Sequence, residues 1–368
     1  MNKLHGWTSD IDHNFSKIFS KYENFVLSNT NNVNNIESGL RTLTYILPGR
    51  FQDAEFASEA LYSVLNLLSL YHDSILDKAS TKPPHDGSIA STFNRYTRYL
   101  VRGSKIFRNL AYTLSVLENV EVLLEMMIIK RFGQKKKWKW ITIIELVKLF
   151  LRLSLLNISK NKTLIWPCHP ERQRQPVYEV DEPSDPNHSW TGDRVRVNHP
   201  TISSMKNTDQ RLDIQGFLVS KVLNPHTARR PQDLVRNLKG IGLFAEYLFL
   251  LRPISHILLI RKFGLKSWKP WLITILMDLM SRLMSNSNIK STGGFDKLTI
   301  LEKEERRRRL WLFGYYLLKN PFYEVFTKYR LLQFIDSTRD RAILGFFSNM
   351  LTDYLPLWEN YFFYTSAS

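Results

Sequence analysis

The sequence predicts an all-α fold: a helical, membrane-associated bundle with an irregular Pro-rich central linker and aromatic C-terminal helices. Three observations predict it. Apolar residues recur at helical spacing along most of the chain. Six of the 15 prolines (Pro167, Pro170, Pro176, Pro183, Pro186, Pro200) gather between Ser159 and Gln215. Two apolar helices each end in a cluster of cations and tryptophans, as segments meeting a bilayer surface do.

The first unit, residues 1–78, is helical. Phe15, Ile18, Phe19, Tyr22 and Val26 form one apolar face, and Val33, Ile36, Leu40, Leu43 and Leu47 another, which Pro48-Gly49 stops. The run "EFASEALYSVLNLLSLYHDSIL" (Glu55 to Leu76) is apolar on more than one side, as a buried helix would be. Residues 79–104 read as a loop and basic segment, from "KASTKPPHDGSIAST" to "NRYTRYLVRGSK".

Residues 105–158 form the first apolar helix pair. Leu110 to Lys130 carries Glu118, Glu121 and Glu125 on one stripe, and Ile141 to Ile158 carries Glu145, Lys148 and Arg152 on another. Folding back near residue 135 brings Glu121 level with residue 150, in reach of Lys148 and Arg152. Neither segment holds 18 uncharged apolar residues. Hydropathy alone favours amphipathic helices of a soluble bundle. The other reading is a membrane hairpin whose charges face protein.

Residues 159–215 read as the Pro-rich linker, and 216–285 as the second apolar pair. Leu238 to Arg261 is interrupted by Glu246, Arg252, Pro253 and His256; Trp271 to Met284 holds an i, i+4 pair, Asp278 and Arg282. The intramembrane charges of a spanning arrangement are Glu145, Lys148, Arg152, Glu246 and Arg252. The last region, 286–368, is basic and aromatic: Arg306 to Arg309 precede "LWLFGYYLL", and the tail "DYLPLWENYFFYTSAS" needs a docking surface.

Between the paired helices lie two similar stretches. "IIKRFGQKKKWKW" holds Lys130, Arg131, Lys135, Lys136, Lys137 and Lys139 with Trp138 and Trp140. "LIRKFGLKSWKPW" holds Arg261, Lys262, Lys266 and Lys269 with Trp268 and Trp271. An offset of 131 aligns Ile129 with Ile260, Phe132 with Phe263, Gly133 with Gly264, Lys135 with Lys266, Trp140 with Trp271 and Ile144 with Ile275. This is a weak internal repeat that composition bias could also produce.

The 368 residues carry 51 Lys+Arg against 34 Asp+Glu, a net charge of +17, which points to an anionic partner: nucleic acid or an acidic leaflet. A hydrophobic fraction of 43% and a mean hydropathy of -0.25 are too polar for a mostly transmembrane chain. A basic groove with stacking aromatics would suit nucleic acid. A nucleic-acid loop does not need the apolar helices that flank both clusters, so the membrane reading is preferred. If Ile141–Ile158 and Ile241–Ile260 span, both clusters fall on one side and both termini are cytosolic. Four spans place the clusters together as well.

Chemistry is sparse. The single Cys168 excludes an intramolecular disulfide and a cysteine zinc cluster, and nine scattered histidines show no ligand spacing. Cys168-His169 are adjacent residues between Pro167 and Pro170, a poor arrangement for a positioned dyad. No phosphate loop, nucleophile elbow or cofactor motif appears, so no cofactor, metal or catalytic residue is expected. The start lacks an apolar signal region, the sequons at Asn14, Asn157, Asn161 and Asn187 read as chance, and "YTSAS" is no matrix address.

Four blocks carry a resemblance. "IESGLRTLTYILPGRFQDAEFASEALYSVLNLLSLYHDSIL" (Ile36 to Leu76), "RPISHILLIRKFGLKSWKPWL" (Arg252 to Leu272), "RRRRLWLFGYYLLKNPFYEVF" (Arg306 to Phe326) and "DYLPLWENYFFYTS" (Asp353 to Ser366) resemble, in order, the peroxin-16 family of peroxisomal membrane biogenesis proteins. The resemblance implies a non-enzymatic peroxisomal membrane protein, in part arriving through the endoplasmic reticulum. It implies recruitment and insertion of other peroxisomal membrane proteins, with peroxin-3 and with peroxin-19 as soluble chaperone-receptor. Some fungal relatives are described as peripheral proteins restraining peroxisome division, and animal members as two-span proteins. The basic targeting region of animal members is replaced here by "KASTKPPHDGSIAST" and "NRYTRYLVRGSK".

Overall fold

The computed structural model describes residues 17, 19–46, 54–79, 91–172, 189–191, 198–200, 230–295, 298–339 and 341–365. The expected positions Phe15, Ile18, Leu47, Pro48-Gly49, Asn14 and Asn187 lie outside these residues, as do most of the loop after Ala79 and most of the linker.

The described residues are all-α apart from one short antiparallel pair in the linker, β1 (Ser189–Thr191) and β2 (Asn198–Pro200), with Trp190 opposite His199. Helical residues 19–28 lead into α1 (Thr30–Ile46), which folds back on α2 (Ala54–Ala79). Polar contacts fix this pairing: Arg41 donates to Asn66 at 3.1 Å, and His72 bonds Glu37.

Residues 92–103 depart from the expected loop and basic segment. They form α3 (Thr92–Gly103), whose N-terminus is capped by the Ser91 hydroxyl accepting from Asn94 N at 3.2 Å. Tyr96 and Val101 are buried, while Arg98 and Arg102 reach Asp77 at 2.7 and 3.4 Å. The cations of the expected basic segment are the polar side of an amphipathic helix.

Two helical hairpins make the centre. The first is α4 (Lys105–Phe132) and α5 (Gln134–Ile158); the second is α6 (Ile241–Phe263) and α7 (Trp268–Ser291). In the first hairpin the break is Gly133 alone. Its φ/ψ of 73°/171° is matched by Gly264 at 87°/160°, and each glycine N–H returns to a carbonyl four residues back, Ile129 and Ile260. Only glycine adopts this backbone without strain. The aligned "FG" pairs are therefore one structural device used twice. The lysines after Gly133 are not in a turn, since they occupy the first turns of α5.

The linker is also tighter at its start than expected. Residues 159–172 pack into the molecule, burying Ile165 and Cys168, and Leu238 N donates to Asn161 O at 2.8 Å. Arg172 ties this segment to the first unit through Asp73 at 2.9 Å and Glu37 at 3.3 Å.

After α7 comes α8 (Ile300–Phe313), begun by a capping box between Thr299 and Glu302. A 3-10 turn (Gly314–Leu318) and a π turn (Tyr323–Thr327) continue to α9 (Lys328–Thr338), α10 (Ala342–Asn360) and the short α11 (Phe362–Thr365). Leu114, Leu151, Leu155 and Phe107 fill the core between α4 and α5. Ile141 and Ile144 of α5 meet Ile257 and Ile260 of α6, which joins the two hairpins with both glycine turns at the same end. Each such aliphatic side chain contributes about 1.5–3 kcal/mol when fully buried.

Candidate functional site

The central hairpins bury charged and polar groups beside an apolar core and expose large apolar residues. On α7 the inward positions are Thr274, Asp278 and Ser281, all buried. The outward positions are Leu272, Ile273, Leu276, Leu279, Met280 and Leu283, with Leu276 59% and Leu283 61% exposed. On α5, Glu145 and Lys148 are buried, while Ile143, Leu146, Val147 and Phe150 face outward, the last 69% exposed. Outward Phe244, Leu251 and Leu258 continue this surface on α6. Exposed large apolar residues repeated along three helices mark contact with lipid or protein.

The buried charges are paired. Lys148 Nζ lies 2.6 Å from Glu121 and 3.1 Å from Glu145, and Arg152 reaches Glu118 at 2.8 Å. The fold-back near residue 135 thus gives the cross-hairpin pairing its spacing requires. In the second hairpin Arg252 meets Asp278 at 3.0 Å, and Asp278 also meets Arg282 at 2.9 Å, the expected i, i+4 pair. Glu121 and Arg252 are equivalent under the 131-residue offset, so each hairpin is cross-linked at the same level, with the signs reversed. Glu246 binds Arg309 of α8 at 2.7 Å. Every expected intramembrane charge therefore faces a partner inside the protein.

The basic clusters divide. Lys130, Arg131, Lys136, Lys139 and Trp140 are exposed around Gly133, and Arg261, Lys262, Lys266, Trp268 and Lys269 around Gly264. The side chain of Lys135 lies outside the described set. Trp140 stacks on Phe132 at 5.8 Å. Half-buried Trp271 stacks on Phe322 at 5.4 Å and donates Nε1–H to Tyr316 O at 2.9 Å. Lys137 departs from the expected set of surface anchors: it is buried, with Nζ 2.8 Å from Glu125. That carboxylate also accepts from Phe362 N and Phe363 N at 2.9 and 3.1 Å. Trp138 packs edge-on against Phe362 at 5.7 Å. The aromatic tail docks here, between α4, α5 and α6.

The positions in the first turns of α5 have a physical cost, because cations near a helix N-terminus oppose its dipole. Glu125 offsets that cost at Lys137, and an anionic surface would do so for its exposed neighbours. With Lys137 kept, replacing Lys135, Lys136 and Lys139 by Glu weakens binding to anionic vesicles by about 1 kcal/mol or more per cation. Co-sedimentation at low and high salt measures it; unchanged binding would remove these lysines from the membrane surface.

Cys168 and His169 do not form a dyad. The Cys168 thiol donates to Ile165 O at 3.5 Å, and burial pushes it up to about 12. His169 bonds the Ser115 hydroxyl at 2.9 Å, and burial pushes it down to about 4. A thiol held neutral is not a nucleophile. Among the described residues no group of three or more His, Cys, Asp or Glu is placed to hold a metal.

Comparison with known proteins gives the family. The family described as "Peroxisomal membrane protein (Pex16)" matches residues 20–360. A peroxisome biogenesis protein 16 of Arabidopsis thaliana is 25% identical, over 94% of this chain and 99% of the relative. A peroxisome biogenesis factor 16 of Dictyostelium discoideum is 37% identical over 36% of this chain and 32% of its own length. The Schizosaccharomyces pombe peroxisomal membrane protein PEX16 is 20% identical over 83% of this chain and 86% of its own. No solved structure matches. With the match running from the first helical unit to the aromatic tail, the chain belongs to the Pex16 family of peroxisomal membrane proteins, which are peroxisome biogenesis factors.

Proposed function

We propose that this chain is a non-enzymatic membrane scaffold that helps recruit and insert other peroxisomal membrane proteins. Its two central hairpins lie in the bilayer and both basic turns lie at the cytosolic face. The observation that carries membrane embedding is on α5, α6 and α7: paired charges inside, and exposed leucine, isoleucine and phenylalanine side chains outside. α6, at 23 residues, is about 35 Å long and matches the hydrocarbon thickness. α5, expected as the second span, carries Glu145, Lys148 and Arg152, yet these are neutralised within the bundle.

Of the two-span and four-span arrangements, the ion pairs support the four-span one. α4 is tied to α5 and α7 to α6 deep within each hairpin, so the hairpins enter as units rather than α5 and α6 alone. The scaffold role rests on the family and on the surfaces left at the turn end, where α9, α10 and the docked tail lie. Peroxin-3 is the proposed membrane partner there, with peroxin-19 delivering clients and arrival in part through the endoplasmic reticulum. Crosslinking to peroxin-3 with residue-level mapping tests the partner; no crosslink at either the first unit or α9–α10 removes it.

Alkaline carbonate extraction tests the embedding. The chain remains in the pellet, whereas full release would favour a peripheral protein restraining division. A single substitution sharpens this. Leu276→Arg places a charge on the outward face of α7; facing lipid near the bilayer centre it costs about 2.5–3.5 kcal/mol of insertion, and facing water under 0.5 kcal/mol. Retained membrane integration of L276R at wild-type yield would overturn the lipid-facing assignment.

A further inference from the structure

At the end of the second hairpin away from Gly264, where α6 begins and α7 ends, the structure holds a cavity of about 710 Å³ closed on its third side by α8. Its floor is apolar, with Phe249, Ile289, Phe295, Leu298 and Leu310 among its walls. Its three carboxylates are all engaged. Glu246 and Glu305 are held by Arg309 at 2.7 and 2.8 Å, and Glu302 by Arg236 at 3.2 Å. Of its remaining cations Arg282 is held by Asp278 at 2.9 Å, and four others line it: Lys239, Lys303, Arg306 and Arg307. None of the four has a carboxylate partner among the described residues.

Arg306 is the informative one. Its guanidinium lies over the Phe295 ring at 4.6 Å, and its Nη1 is buried with no hydrogen-bond partner among the described residues. A buried guanidinium nitrogen left unpaired is costly, so an oxyanion at this point would be bound strongly. Inorganic phosphate would satisfy the cations and leave the apolar floor in contact with water. A neutral acyl chain would cover the floor and leave Arg306 unpaired. An amphiphile with an anionic head does both. Outward Phe244, Leu283 and Leu310 lie on the helices that form the cavity, so a molecule in the surrounding apolar phase has a short path to it.

We propose that this cavity binds an anionic phospholipid, its phosphate at Arg306 and an acyl chain against Phe249, Ile289 and Phe295. The site is distinct from the basic turns, which lie at the opposite end of the hairpin. It goes beyond the scaffold reading; the ligand's path rests on the bilayer embedding proposed above, but occupancy is read in detergent, so the two fail separately.

The test uses the purified full-length chain in a non-ionic detergent with phosphatidic acid carrying a photoreactive acyl chain. Labelling is expected in the peptides containing Phe249 and Ile289–Phe295. Unlabelled phosphatidic acid competes, while phosphatidylcholine and millimolar inorganic phosphate do not. R306Q lowers labelling about tenfold, the loss expected for one charge-assisted contact, and R306K recovers part of it. Equal labelling by a phosphatidylcholine probe would show only an apolar surface, and competition by inorganic phosphate would show a phosphate site; either overturns the proposal. Unchanged labelling of R306Q does so too. Should R306Q lose its helical circular dichroism, the phosphatidic acid and phosphatidylcholine probes compared on the wild-type chain decide alone.

Discussion

Replacing Lys148 by alanine is expected to destabilise the first hairpin by about 3–5 kcal/mol, because it leaves buried carboxylates without their cation. Lys148 is fully buried, and its Nζ lies between Glu121 of α4 and Glu145 of α5. No rearrangement of Lys148's surface neighbours can replace it, since the outward residues of α5 are apolar. Arg152 is committed to Glu118 one turn away. The readout is the loss of protease resistance and a lower thermal midpoint by tryptophan fluorescence in detergent. The compensating variant E121Q/E145Q/K148M removes all three charges together and should recover most of the stability, as replacing an entire buried ion cluster by neutral groups does. A K148A midpoint equal to wild type would mean that the cluster is hydrated and that the hairpin is not held by it.

Glu125→Ala is expected to release the aromatic tail. One carboxylate holds three groups, the Lys137 ammonium and the N–H groups of Phe362 and Phe363, at 2.8, 2.9 and 3.1 Å. Its side chain is fully buried. Without it, Lys137 is a buried unpaired cation, and the first N–H groups of α11 lose their acceptor. The estimated cost is about 3–5 kcal/mol, reduced by whatever the tail recovers on undocking into solvent. Limited proteolysis should cut the chain near Tyr361 far faster in E125A than in wild type, while the core of the two hairpins stays resistant. E125Q keeps one acceptor and should fall between the two. If E125A leaves the tail protected, the apolar contacts of Phe362 and Phe363 with Ile141 and Ile257 hold it without the ion pair.

Several of these features were legible in the sequence. Helical periodicity gave both hairpins, and the i, i+3, i+7 stripes of Glu118–Glu125 and Glu145–Arg152 required a cross-hairpin pairing once the chain folded back. The aromatic tail required a docking surface by its composition. The 131-residue offset, weak as a string match, is matched by two glycines with the same backbone geometry. What was missed has a common cause. α3 looked only like a basic segment because three arginines are spread among its apolar residues, yet Asp77, which neutralises Arg98 and Arg102, lies in another helix. The first part of the linker looked irregular because Pro167 and Pro170 interrupt it, yet Ile165 and Cys168 anchor it in the core.

The sequence by itself determined the central helices, where they turn, and the excess of positive charge near those breaks, because periodicity and glycine placement act through local backbone geometry. It could not determine which side of each central helix faces inward. A stripe of charges reads the same whether it meets water or another stripe of charges. Only the tertiary structure decided this, by placing Lys148 on Glu121 and Arg252 on Asp278, and so turning Leu146 and Phe150 of α5 and the leucines of α7 outward. Lys137 shows the same limit in one residue. It belongs by sequence to a membrane-edge cluster, but a carboxylate twelve positions away and a tail more than two hundred residues away close around it. Burial is a property of what the chain brings together in space, and the pairing of charges across helices is set by that packing and not by their spacing along one of them.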